Sequence, residues 1–147
     1  MNIYVASSWR NKRQPEVVAA LRAAGHEVYD FRNPEPGNHG FNWGEIDPDW
    51  KQWTHLDFAE ALDHPIAQAA YDLDKAALDW CDACVLVLPS GRSAHLEAGY
   101  CIGRGKPTAI LLDAHPRPEL MYKMAGHILT DFCDLSAWLL TIAAGKP

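Results

Sequence analysis

Apolar positions along the chain switch between short unbroken runs and helical spacings, and that alternation predicts an α/β fold. Residues 3–6 are apolar throughout and end in Ser7-Ser8, as a buried strand does. Pro15 suits the first turn of a helix, Val17, Val18 and Leu21 follow at helical spacing, and Gly25 is a stop. Residues 26–31 alternate enough for a second strand. Residues 65–80 read as a helix, 83–88 as the most strand-like run of the chain, and 93–103 as a helix again, after a break at Pro89-Ser90-Gly91-Arg92. A strand over 107–112, a short helix over 118–125, a short strand over 127–130 and a last helix over 135–144 complete the order. Strands separated by helices imply a parallel sheet covered on both faces. The expectation is one flavodoxin- or Rossmann-like α/β domain over residues 1–147, with about five parallel strands, no internal repeat and no domain-scale linker.

A chain of 147 residues is long enough to bury a core without disulfides or a structural metal. Its net charge of −6 argues against a nucleic-acid polymer, which needs a basic face, but leaves room for a small anion. No apolar run reaches the roughly 18 residues that span a bilayer, so no membrane partner is expected. The chain opens directly into strand-like residues with no basic region ahead of an apolar stretch; no signal peptide is expected, and the four cysteines suit reduced thiols in a cytoplasm. Cys81 and Cys84 form a C-x-x-C without a second metal-binding pair, amid Leu and Val, and read as small buried side chains. The histidines show no metal-ligand spacing, so neither a metal nor a cofactor is expected.

In open parallel sheets ligands bind at the carboxyl ends of the strands, which directs attention to three loops: 7–11, 32–53 and 89–93. In the third, a glycine turn leads into a helix whose first N–H groups and partial positive charge, with Ser90, Gly91, Arg92 and Ser93, make an anion site. Glu97 stands four residues after Ser93 and shares its helix face; a Ser cap followed by a solvated Glu fits the same spacing. Asp74 shares a face with Tyr71 on the preceding helix, a pattern that a surface carboxylate also satisfies. In the first loop Ser7, Ser8 and Arg10 can meet an anion and Trp9 can cover a base, or the segment is a plain polar turn. The long middle loop carries Phe41, Trp43, Trp50 and Trp53 among glycines, either to stack on a nucleobase or to pin the loop as a hydrophobic cluster.

Taken in order, these residues resemble the nucleoside 2-deoxyribosyltransferase family and its nucleotide-hydrolase relatives, the 2′-deoxynucleoside 5′-phosphate N-hydrolases and CMP N-glycosidases. The likeness runs from Ile3-Tyr4-Val5-Ala6-Ser7 through Asp74 and Asp82 to Leu96-Glu97-Ala98-Gly99-Tyr100 and Gly105-Lys106-Pro107. It implies cleavage of an N-glycosidic bond with Glu97 as nucleophile, Asp74 holding the sugar or helping to protonate the leaving base, and Tyr4 orienting Glu97. Ser8 and Arg10, with Ser90 or Ser93, approximate the phosphate-binding pattern of the nucleotide-using relatives, which favours a nucleoside 5′-monophosphate and hydrolysis over base transfer. The chain departs from the family at Ala98, where a Leu is usual, at Ser90-Gly91, where the transferases place an Asp, in its longer 32–53 segment, and in lacking a counterpart after residue 113 to the Asn that a neighbouring subunit supplies. Shared sites in the family imply a homo-oligomer. Two other readings share the scaffold: a TIR-like NAD glycohydrolase, which releases nicotinamide, and a non-catalytic nucleotide sensor. A response-regulator-like domain is disfavoured because Ser7-Ser8 stand where its acidic cluster would be.

Overall fold

A computed structural model describes residues 1–145. Contacts divide the chain into two compact units, one made of Met1–Asp30 with the chain from Trp80 onward, the other of Phe31–Asp79.

The first unit holds a five-stranded sheet: β1 (Asn2–Ala6), β2 (Glu27–Tyr29), β3 (Ala83–Val87), β4 (Thr108–Leu111) and β5 (Gly126–Leu129). All neighbours are parallel and the order is β2-β1-β3-β4-β5, so strand order reverses between β1 and β3. The strands match the expected runs, except that β2 stops at Tyr29 because Asp30 turns inward to accept a bond from Gln14 Nε2 at 2.8 Å.

Side chains of a strand alternate between its faces, and the core sorts accordingly. Ile3, Val5, Val85, Val87, Ala109 and Leu111 form one cluster with Val17, Val18 and Leu21 of α1 (Gln14–Ala23) and with Leu135, Trp138 and Leu139 of a C-terminal helix over Phe132–Ala144. Burying each such aliphatic side chain is worth about 1.5–3 kcal/mol. The opposite face carries Tyr4, Leu86 and Ile110. It is covered by the helix Arg92–Gly103, which packs on β1, β3 and β4 through the buried Ala94, Ala98 and Cys101. These small residues let the helix approach the sheet closely. α1 ends where Gly25 adopts φ 84°, the left-handed region.

The second unit contains two short 3₁₀ turns (Trp43–Glu45 and Trp50–Gln52), α2 (His55–Ala61) and most of α3 (Pro65–Trp80). The remaining helices are therefore α4 (Arg92–Gly103) and α5 (Phe132–Ala144). α2 has no counterpart in the pattern of apolar positions. It is started by a reciprocal cap, Asp57 N–H donating to Thr54 Oγ1 and Thr54 N–H to Asp57 Oδ2. The segment 118–125, expected as a helix, is a 3₁₀ helix over Leu120–Ala125. Among the described residues no helix is long and apolar enough to cross a membrane.

Candidate functional site

The reversal of strand order brings the turns after β1 and β3 side by side at the carboxyl edge of the sheet. One residue joins them. Asn11 is buried, and its Nδ2 donates to Ser7 Oγ (3.0 Å), Val87 O (3.1 Å) and Pro89 O (3.1 Å), while its Oδ1 accepts from Arg13 N–H (2.9 Å). The Ser7 hydroxyl itself donates to Val87 O at 2.8 Å. Ser7 and Asn11 thus form a brace between the two turns. Ser8 Oγ accepts from Arg10 N–H at 3.2 Å, which leaves the Arg10 side chain and Trp9 on the exposed rim.

Across the brace, Gly91 caps α4 in an extended conformation and has no side chain with which to satisfy the helix's first N–H groups. Arg92 and Ser93 are exposed and Ser90 is half-buried, so the turn read from sequence as an anion site is accessible to solvent. Glu97 lies one turn further along α4 and is half-buried. Tyr4 sits on the sheet face that α4 covers, fully buried, its ring stacked on Tyr29 with centroids 5.3 Å apart.

Asp74 and Trp43 belong to the second unit. Asp74 is a half-buried residue of α3. Trp43 is the hub of an aromatic cluster, with Phe41, Trp53 and Phe58 at centroid distances of 4.7, 5.6 and 5.8 Å, all edge-on. Trp53 Nε1 donates to Asp47 Oδ2 at 2.6 Å, and Asn42 and Glu45 cap the first 3₁₀ turn reciprocally. This geometry gives Phe41, Trp43 and Trp53 a packing role. Trp43→Ala is expected to loosen the unit by roughly 2–3 kcal/mol, read as lost hydrogen-exchange protection over residues 41–61. Unchanged protection would leave the rings available for ligand alone.

Three polar residues of the first unit were not singled out by sequence. Asn11 is one. The others are Tyr122, whose hydroxyl meets His95 Nε2 at 2.8 Å, and Asp113, just past β4. Asp82, part of the sequence likeness, works at the opposite edge: its Oδ2 accepts from Asn2 N–H at 2.8 Å and its N–H donates to Asn2 O at 2.7 Å, fixing the β1–β3 register. Cys81 and Cys84 are buried, as their surroundings implied. Contact with Cys101, then burial, pushes the Cys81 thiol up. Cys101 is pulled down by Cys81 but pushed up by Cys84 and burial, to about 12. Both stay protonated near neutral pH and are poor nucleophiles. Among the described residues no group of three or more His, Cys, Asp or Glu is placed to hold a metal.

No family model and no curated protein matches this chain. Solved structures do. The 2-deoxyribosyltransferase of the psychrotolerant bacterium Bacillus psychrosaccharolyticus superposes with a TM-score of 0.56 at 19% identity, over 90% of this chain and 88% of that one. The fold is that of the 2-deoxyribosyltransferases. The CMP N-glycosidase of Clostridium botulinum shares it, with a TM-score of 0.52 at 16% identity over 95% of this chain and 97% of its own. The five-stranded parallel α/β sheet of the 2-deoxyribosyltransferase fold agrees with the expectation from the sequence pattern.

Proposed function

We propose that the protein cleaves the N-glycosidic bond of a nucleoside or nucleoside 5′-monophosphate, with Glu97 as nucleophile and water favoured over a second base as acceptor. The observation that carries this reading is the position of Glu97 on α4, nearly two turns past the Gly91 cap, which has no side chain, at the strand reversal. It is supported by a fold shared with two proteins named for deoxyribosyl transfer and CMP glycoside cleavage.

In the first step a Glu97 oxygen attacks the anomeric carbon, and the carbon–nitrogen electron pair leaves with the base, which takes a proton. The transition state is oxocarbenium-like, as in other carboxylate-driven sugar chemistry. In the second step water attacks the same carbon, its proton returns to the group that protonated the base, the ester bond breaks and the carboxylate is restored. The proton on the departing base calls for an acid, the role that the sequence likeness gives to Asp74. Tyr4, rigid in the sheet, supports the α4 side of the site. Trp43 is the ring proposed to stack on the base, in addition to its packing role. Residues of a second copy of the chain are proposed to complete the site.

A 5′-phosphate is given to Arg10, Arg92 and the Ser90–Ser93 turn. Both arginine side chains are exposed, so neither is needed for folding. Arg10→Ala or Arg92→Ala is expected to weaken nucleotide binding roughly 10- to 100-fold, the worth of a charge-assisted hydrogen bond, and to leave nucleosides unchanged. Equal losses for both would argue against a phosphate site. The test of the function itself is a panel of ribo- and deoxyribonucleosides, their 5′-monophosphates and NAD, with released base measured by chromatography. Free base from a nucleoside or mononucleotide is the expected outcome. Nicotinamide alone would move the activity to NAD, and a nucleotide bound but intact after prolonged incubation would make the protein a sensor.

A further inference from the structure

A crevice opens on the face of α4 turned away from Glu97. His95, Ala98, Gly99 and Ile102 follow one another at i, i+3, i+4 and i+7 and line it as a stripe, whereas Glu97 lies about 200° around the helix from His95. Leu86 and Ile110 of the sheet make the floor, and the segment after β4 makes the far wall with Asp113, Met121, Tyr122 and Met124. The cavity is about 540 Å³, within the range of small-molecule sites.

Gly91 O can only accept, so the 2.7 Å contact from His95 Nδ1 assigns the ring proton to Nδ1. In the Nδ1–H tautomer Nε2 accepts the Tyr122 hydroxyl hydrogen at 2.8 Å, and the two rings lie stacked 5.7 Å apart. With its hydrogen engaged, the Tyr122 oxygen offers only lone pairs. Burial, then the charges of Glu119 and Asp113, hold the Tyr122 phenol above its ordinary range, so it remains a neutral phenol. Asp113 Oδ1 is shielded from water and has no hydrogen-bond partner among the described residues. Inside the crevice Asp113 Oδ1 and the Tyr122 oxygen are acceptors and the Ser90 hydroxyl can donate as well as accept; the cationic Arg117 and the imidazole of His115 stand on the exposed rim.

We propose that this crevice binds a flat, nucleobase-sized heteroaromatic ring bearing an amino group, whose N–H groups go to Asp113 and the Tyr122 oxygen and whose faces lie against the methionines and the aliphatic floor. The proposal does not depend on the chemistry assigned to Glu97. The test is calorimetric titration with adenine and with cytosine, each against the ring lacking its amino group, purine and pyrimidin-2-one. The proteins are the unaltered chain, Gly99→Phe, Asp113→Asn, Tyr122→Phe and Glu97→Ala. A Cβ at Gly99 meets nothing within 4 Å, so the backbone accepts the substitution, and Gly99 lines the crevice that the phenyl ring is designed to obstruct.

One of the two amino-bearing rings is expected to bind on the order of tenfold more tightly than its partner ring. Gly99→Phe and Asp113→Asn should each lose on the order of tenfold, Tyr122→Phe should lose less, and Glu97→Ala should bind as the unaltered chain does. Equal binding of amino-bearing and bare rings, no binding of either, or unchanged affinity in Gly99→Phe and Asp113→Asn overturns the inference. Loss in Glu97→Ala alone assigns the ring to the site of the proposed reaction and equally overturns it. Should Gly99→Phe fail to fold by circular dichroism, Asp113→Asn decides.

Discussion

Glu97→Ala is expected to lower the rate of base release by at least about a thousandfold while leaving the fold intact. The size follows from the role: without the carboxylate the first displacement has no internal nucleophile, and only substrate binding remains. The fold should survive because Glu97 is only half-buried and α4 is packed on the sheet through the buried Ala94, Ala98 and Cys101. Unaltered circular dichroism with lost turnover is the predicted pair of results. A variant that keeps its rate removes Glu97 as nucleophile.

Asn11→Ala is expected to cost about 2–4 kcal/mol in urea denaturation, a large effect for one polar side chain. Its amide holds Ser7 Oγ and the carbonyls of Val87 and Pro89, and its Oδ1 holds Arg13 N–H. Alanine removes all of these at once and leaves Pro89 O and Arg13 N–H, both part-buried in these bonds, without that partner. Val87 O keeps the Ser7 hydroxyl, which limits the loss. The same change frees the β1 turn from the β3 turn, so substrate affinity should fall with stability even though Asn11 is buried. A cost below about 0.5 kcal/mol would show that the brace contributes nothing beyond what solvent can replace.

The scaffold was readable because its strongest signals are local. Residues 3–6 and 83–87 are unbroken apolar runs, as central parallel strands must be, and Val17, Val18 and Leu21 keep helical period in front of the Gly25 stop. α2 escaped because it buries only Ala61, leaving Leu56 and Phe58 exposed, so its apolar spacing has no face to report. Its one signal was the Thr54–Asp57 cap. α5 begins at Phe132, earlier than its apolar period suggests, because Asp131 caps Asp134 N–H and Asp134 in turn accepts from Thr130.

The site divides in the same way. The turn at Ser90-Gly91 and the Ser93–Glu97 spacing are local patterns and could be read directly. Asn11, His95, Tyr122 and Asp113 could not. Asn11 meets carbonyls 76 and 78 residues away and His95 meets Tyr122 at a separation of 27, contacts that exist only once β1, β3 and β4 are adjacent. Ser7 shows the converse: its position suggested a ligand, and its hydroxyl is engaged by Val87 and Asn11.

The most direct test of the account is to trap the glycosyl-enzyme. A substrate found to release base is mixed with the protein, quenched in acid within the first turnovers, digested and examined by mass spectrometry. The account predicts a sugar or sugar-phosphate adduct on the peptide containing Glu97, absent from Glu97→Ala. Base release with no adduct, or with the adduct on another side chain, would contradict it.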